Sequence, residues 1–380
     1  MDGQVEILDL DRDELALDLK TRLGLEPFRA RQLVQWIYRR RHRTFEQMTD
    51  IAQPVREQLA AVYSIYRPQP ETIQLSKDGT RKFLFKLEDG ALVETVLIKQ
   101  PKRYTLCISS QYGCAIGCKF CRTALMGLKR NLKTSEIVGQ VLAVQDYVAK
   151  LQSEQTEPMI PEQFQNIVFM GMGEPLHNYD NVTRAIRLLN DGLGLNISGR
   201  RITISSSGLV PAIEKFGTDR GDANLAISLN ATTDEVRTRI IPINKKWPIE
   251  VLLEMLRRYP LKGRARITFE YVMLKDVNDT DEDLKRLPGL IKDIPSKVNL
   301  IPYNQNAGLG WFSPDRERVA VWQDQLLKNG ITATIRWSKG DDIDAACGQL
   351  ATVHREKRQR GNVQSENSLG ETSEPEIAGA

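Results

Sequence analysis

Seven short runs rich in apolar and β-branched residues, TLCIS, NIVFMGMG, RITISSSG, NLAISLNA, RITFEYVML, KVNLIPYN and TATIRWS, recur from Thr105 onward, each followed by a helix-like or looped stretch. Strands that alternate with helices in this way pair parallel through right-handed crossovers, because parallel neighbours cannot be joined by a tight turn. Such a repeat either closes towards a barrel or stays open as a doubly wound sheet. In both, ligands gather beyond the C-terminal ends of the strands. Several chemically informative residues of this chain fall at those ends.

The flanks read differently. Residues 1 to 75 read as a small helical unit in which Leu33, Trp36 and Ile37 interleave with basic positions, and Arg39, Arg40, Arg41 and Arg43 form its densest basic run. That run is either an RNA phosphate contact or a solvated helix face. Two alternating runs, KFLFKL and ALVETVLIK, then meet at Asp89-Gly90, which predicts a β-hairpin at the front of a repeat domain spanning 76 to 350. The remainder, 351 to 380, is polar and reads as a disordered tail. No run approaches the ~18 to 20 apolar residues of a membrane span. The acidic first residues lack the basic start and apolar stretch of a secretory signal. With 53 Lys and Arg against 49 Asp and Glu, the net charge of +4 permits nucleic-acid binding without demanding it. A soluble cytoplasmic protein is expected.

Five cysteines, three of them within eight residues, make a poor disulfide framework and a good metal-ligand set. In CAIGCKFC, the spacing Cys-x3-Cys-x2-Cys places Cys114, Cys118 and Cys121 in one loop after the first strand of the repeat. A four-iron cluster takes four ligands, usually cysteines, so three from one loop leave one iron for another molecule. The alternative is zinc, with a histidine such as His177 completing a tetrahedron, but His42, His177 and His354 have no finger-like spacing. The cysteine spacing, with Phe120 just before the third cysteine, resembles the signature of the radical S-adenosylmethionine superfamily, in which the open iron is chelated by that cofactor. The run FMGMGEP brings Gly171, Gly173 and Glu174 to a strand end, where backbone can approach a ligand and a carboxylate can meet an ammonium. It resembles the superfamily motif that holds the cofactor's amino group. Ser206, Ser228 to Asn230, and Asn304 also lie at strand ends, as ligand contacts or as loop groups bonding their own backbone.

Two cysteines remain, Cys107 and Cys347. Each alone reads as an inert core residue. Cys107 shares a strand face with Thr105 and Ser109, whereas Cys347 lies in the small-residue segment DAACGQL after the last predicted strand. Closure towards a barrel would bring the two regions together. Glu94, in LVETVLI, shares its face with Leu92, Val96 and Ile98, so it is either used or an edge-strand carboxylate reaching solvent.

FRARQLVQWIY, FEQMTDI, QYGCAIGCKFC, FMGMGEPL, ITISSSG, SLNA, PYN and DIDAACGQL together make residues 20 to 350 resemble the bacterial dual-specificity RNA methyltransferases, which methylate carbon 2 of an adenine in large-subunit (23S) ribosomal RNA and in transfer RNA. The resemblance implies an α/β fold: a radical S-adenosylmethionine partial (β/α) barrel with a small N-terminal helical domain and a hairpin extension. It implies one [4Fe-4S] cluster on Cys114, Cys118 and Cys121, and two S-adenosylmethionine molecules per turnover, contacted by Gly173, Glu174, Pro175, Ser206, Ser228, Leu229, Asn230 and Asn304. It further implies that Cys347 carries the methyl group, Glu94 is the base, and Cys107 releases the product by forming a disulfide with Cys347. Asn230 departs from the family pattern, which has His there. An external electron donor of the flavodoxin kind and a monomeric state complete the expectation. Carbon 8 of the same adenine is the nearest alternative target, and a zinc-dependent RNA-binding protein is the remote one. Lys129, Arg130, Lys133, Arg200, Arg201, Lys245 and Lys246 sit in loops that would flank an RNA entrance or simply meet solvent.

Overall fold

The computed structural model describes residues 3–100, 103–154, 165–219, 221–305, 309–346 and 348–349. The N-terminal unit holds β1 (Val5–Glu6), α1 (Arg12–Leu23), α2 (Phe28–Val34), α3 (Gln53–Val62) and β2 (Tyr63–Ser64), with β1 and β2 paired parallel. α1 begins where Asp11 accepts from the N–H groups of Asp13 and Glu14 while Glu14 accepts from Asp11, and it ends at Gly24 with φ +65°. Both ends thus carry the groups that satisfy orphan backbone bonds. Leu33, Trp36 and Ile37 are buried, as their spacing predicts.

β3 (Pro70–Leu75), β4 (Arg81–Lys86), β5 (Leu92–Gln100) and β6 (Arg103–Cys107) run antiparallel to one another in that order. Asp89-Gly90 turns β4 into β5, with Gly90 at φ +81° and Leu87 N donating to Ala91 O at 2.9 Å. β3 is an additional strand in a stretch read as part of the helical unit. Its polar sequence, PETIQL, suits a strand at the sheet edge, where one side needs no partner. Next come a small antiparallel pair, β7 (Gln111–Tyr112) and β8 (Arg130–Asn131), the short α4 (Arg122–Leu125) between them, and the long α5 (Thr134–Ser153). α5 carries the N-terminal unit: Arg41 donates to Gln145 O at 3.2 Å and Arg43 pairs with Asp146 at 2.9 Å. Two members of the basic run are therefore structural, while Arg39 and Arg40 stay exposed. Arg130 is likewise engaged, gripping Glu136 with both arms and Asp89 at the hairpin turn.

β9 (Asn166–Phe169), β10 (Ile202–Ser206), β11 (Asn224–Ser228), β12 (Ile267–Met273), β13 (Ser296–Pro302) and β14 (Ala333–Ile335) then join β6 one after another, all parallel. α6 (Tyr179–Asn190), α7 (Val210–Thr218), α8 (Asp234–Ile240), α9 (Ile249–Arg257), α10 (Asp281–Ile291) and α11 (Arg316–Lys328) lie between them. A doubly wound sheet reverses its strand order at a switch point, and this order never reverses. The sheet is a partial barrel. Its two edges, β3 and β14, are bridged by the chain after β14: Asp342 accepts from Ser76 Oγ (2.6 Å) and Lys77 N (3.1 Å), and Gly340 N donates to Asp78 (3.1 Å). Among the described residues no helix is long and apolar enough to cross a membrane. The segment expected to be a disordered tail lies outside the described residues, as does Cys347.

Candidate active site

The cysteine loop is fixed by its backbone at both sides. Ser110 N and Gln111 N both donate to Met172 O (2.9 and 3.1 Å), Cys114 N to Gly127 O (3.2 Å), Lys119 N to Ile240 O (2.9 Å) and Arg122 N to Gly348 O (2.7 Å). Gly113, at φ +79°, is required, since a Cβ there would lie 1.8 Å from Gly127 O. Cys114, Cys118 and Cys121 all line one cavity of about 170 Å³, against roughly 10–15 Å³ for a single water. Burial pushes the Cys114 thiol up to about 12 and Cys118 well above its ordinary value, with neighbouring thiols and Glu174 adding to both. Thiols so placed stay protonated until a bound cation displaces the proton, which leaves to solvent. Among the described residues no three His, Cys, Asp or Glu side chains already stand at metal-binding distances, so the donor set and its loop carry the fit. His177 is exposed, sits 3.4 Å from Gln111 Nε2 and does not line the cavity. The described cavity wall thus supplies three thiols and no histidine, which suits a cluster with one open iron better than a closed zinc tetrahedron.

Opposite the thiols, Gly171, Gly173 and Glu174 form the turn after β9. A Cβ at Gly171 would lie 2.6 Å from Ser109 Oγ, and one at Gly173 (φ +104°) 2.5 Å from Gln111 Cβ, so only glycine permits this approach. Glu174 is buried. Its Oε2 accepts from Ser207 N at 2.8 Å, while Oε1 is buried with no hydrogen-bond partner among the described residues. Burial raises its carboxyl above the ordinary value, and the Ser207 N–H and nearby Ser206 and Ser207 hydroxyls pull the other way. An orphaned buried carboxylate oxygen is costly and fits an ammonium ligand.

Of the other expected contacts, Ser228, Asn230 and Asn304 line the cavity. Pro175 opens a short 3-10 turn and Leu229 packs in the core, neither on the cavity wall. Ser206 is buried beneath it, its Oγ accepting from Gly208 N (3.2 Å) and Leu209 N (3.3 Å). Its neighbours Ser205 and Ser207 face the cavity instead. The alternation that makes Ile202 and Ile204 core residues puts Ser206 on their face, so strand parity was the available signal. Asn230 sits at φ +55° and its Oδ1 accepts from Val272 N at 2.7 Å. The histidine that the resemblance leads one to expect here would share that tolerance of left-handed backbone and offer a ring nitrogen as acceptor. Glu270 was missed. It lines the cavity from β12 beside Ser228, accepts from Asn299 Nδ2 at 2.9 Å, and is pushed up to about 7 by burial, with Arg336 and Lys297 opposing.

Glu94 lies in a second region, behind the cysteine loop. β5 has a neighbour on each side and Glu94 is 2% exposed, which overturns the solvent-facing reading. Its Oε1 stands 3.8 Å from Lys82 Nζ, and Lys82 also donates to Asp344 O at 3.2 Å. Cys107 packs with Val96, Met172 and Ala345. Residues on both sides of position 347 are therefore placed: Ala345 in the same core cluster as Cys107, and Gly348 on the cavity wall. Lys82 carried no signal of this role, since a lysine in RKFLF reads as the solvent face of a hairpin.

A partial parallel barrel whose first strand delivers three thiols to a cavity, faced by a Gly-Glu turn, defines a radical S-adenosylmethionine protein, and the family model described as the Radical SAM superfamily matches residues 108–287. A second model, the ribosomal RNA large subunit methyltransferase N-terminal domain, matches residues 5–65. The chain belongs to the family of dual-specificity RNA methyltransferases RlmN. It is 49% identical over 350 residues to the member from Geobacter sulfurreducens, covering 92% of this chain and 93% of that one. It is 50% identical over 327 residues to the member from Pelobacter propionicus, covering 86% and 90%. A solved radical SAM methyltransferase from Sphaerobacter thermophilus superposes with a TM-score of 0.82 at 39% identity, covering 91% of this chain and 98% of that one.

Proposed function

We propose that this protein methylates carbon 2 of an adenine in 23S ribosomal RNA and in transfer RNA, with Cys347 as methyl carrier. The observation that carries the reading is the shared core cluster of Ala345, two residues before Cys347, and Cys107, with Lys82 joining Glu94 to the same segment. Carbon 2 of adenine lies between two ring nitrogens and has no lone pair with which to attack a sulfonium. The methyl group therefore passes first to a thiolate, the most nucleophilic side chain available near neutral pH, and Cys347 takes that role. Cys114, Cys118 and Cys121 would hold a [4Fe-4S] cluster, which would supply the electron needed to split a second S-adenosylmethionine and make the carried methyl group reactive. Glu174, through Oε1, and the turn at Gly171 and Gly173 hold the amino-acid end of S-adenosylmethionine; Ser228, Asn230 and Asn304 offer polar groups to the rest. Once carbon 2 is joined to the carrier and the adduct has given one electron back to the centre that Cys114, Cys118 and Cys121 would hold, Glu94 takes the proton from carbon 2. The Cys107 thiolate then attacks the sulfur of Cys347, and the carbon–sulfur bond breaks with its electron pair left on the carbon. A proton taken up there completes the methyl group of the freed RNA as the disulfide forms. Reduction of that disulfide by an external thiol resets the enzyme. A flipped or unpaired adenine is required, because its carbon 2 edge is enclosed within a duplex. The electron comes from a flavodoxin-like donor, and the protein acts as a cytoplasmic monomer.

Anaerobic incubation of cluster-loaded protein with S-adenosylmethionine, reductant and unmodified ribosomal or transfer RNA, followed by nucleoside mass spectrometry, tests this reading. The expected product is 2-methyladenosine from both RNAs. Only 8-methyladenosine, or no methylated base, would overturn it.

A further inference from the structure

Arg237, on α8, is 0% exposed and donates four hydrogen bonds: Nε to Leu229 O (3.0 Å), Nη1 to Asn244 Oδ1 (2.8 Å), and Nη2 to Ser207 O (2.8 Å) and Ser228 O (3.1 Å). Every acceptor is neutral. Among the described residues Arg237 makes no ion pair; the ionisable groups acting on it are Asp234, whose carboxylate is turned to Asn244 Nδ2 and Ile249 N, and Cys118. A fully buried guanidinium without an anion is expensive, so a protein that keeps one at this depth has an anion to set against it. The ionisable group that acts on it from the cavity wall is Cys118, itself influenced by the hydroxyl of Ser207, the residue whose carbonyl Arg237 holds. α8 also receives the cysteine loop directly, through Lys119 N to Ile240 O at 2.9 Å. The strand ends of β10 and β11 converge on this one side chain, and the cysteine loop docks on the helix that carries it.

We infer that Arg237 is a positioning residue that provides the buried countercharge for an anionic iron-sulfur centre on Cys114, Cys118 and Cys121, and that its planar fork fixes the two strand ends against which S-adenosylmethionine lies. The inference rests on the cluster assignment made above. Three thiolates make the centre anionic, and reduction makes it more so, so a nearby buried cation favours the reduced form. Arginine suits the task because it keeps its charge when buried and presents donors in a fixed plane, whereas lysine offers one compact charge.

Iron, sulfide and the midpoint potential of the centre, read by electron paramagnetic resonance without S-adenosylmethionine, are measured in the parent, Arg237→Gln and Arg237→Lys, together with S-adenosylmethionine affinity. A parent protein that binds no cluster defeats the cluster assignment itself, independently of Arg237. With the parent loaded, Arg237→Gln is expected to show a more negative potential or to lose the cluster, while Arg237→Lys keeps the cluster and a potential close to the parent's but binds S-adenosylmethionine several-fold more weakly. Potentials unchanged in both variants, or displaced alike in both, or loss of the cluster from both, would overturn the inference.

Discussion

The cavity and the wall behind it are built on opposite principles. On the cavity side, three thiols line a ligand-sized space and Glu174 Oε1 is buried without a partner. On the wall, Lys82 ties Glu94 to Asp344 O, and Val96, Cys107, Met172 and Ala345 close over one another. The first is an open space of ligand size; the second is closed by packing among protein side chains. The same ten-stranded sheet carries both, since β6 ends in Cys107 and its following loop supplies Cys114, Cys118 and Cys121.

Variants that damage one side and spare the other break or sharpen that contrast. Cys118→Ala is expected to abolish bound iron and all methylation while leaving the chemical melting profile of the protein nearly unchanged, checked by iron assay and urea unfolding. Glu94→Gln should keep cluster and S-adenosylmethionine binding but slow methylation by about 10² to 10⁴, the usual worth of a general base, as read in single-turnover assays. Lys82→Met leaves Glu94 buried without its ammonium and should cost about 3–5 kcal/mol in urea unfolding, with much of the loss recovered in the Lys82→Met/Glu94→Gln double variant. Glu270 gives the smallest effect and a pH signature. Its carboxyl is raised from 4.5 to about 7 in the folded protein, so between those values the folded state keeps a proton that the unfolded chain has released. Its contribution to stability is full below pH ~4.5 and lost as pH rises through ~7, roughly 2–4 kcal/mol in all. Glu270→Gln should remove that slope, seen as a difference between the parent's and variant's stability from pH 5 to 8.

The strands of the repeat were legible because buried parallel strands need β-branched runs of a fixed length, and the seven runs predict β6 and β9 to β14. The cysteine spacing and FMGMGE were legible because thiolate ligation and close backbone approach admit few other residues. β3 was not, since an edge strand tolerates a polar sequence. The parity of Ile202 and Ile204 puts Ser206 on the core face and leaves Ser205 and Ser207 to the cavity, a signal the motif alone does not carry. Lys82, Arg237 and Glu270 escaped for a different reason: each is a charged residue in an ordinary-looking segment, and its meaning comes from groups distant in the chain. Lys82 meets Asp344, and Glu270 meets Asn299 on the adjacent strand. Burial, which sequence does not state, turns such residues from solvent-facing charges into neighbours of the cavity and its wall.

The most direct test of the account is the fate of the RNA when each of the two thiols is removed. Under turnover conditions, Cys107→Ala is predicted to accumulate a covalent RNA adduct at Cys347, detectable as a shifted protein band and as a nucleotide-bearing peptide by mass spectrometry, whereas Cys347→Ala forms neither adduct nor product. Loss of methylation in both variants with no adduct in either would contradict the assignment of Cys347 as carrier and Cys107 as the thiol that releases it.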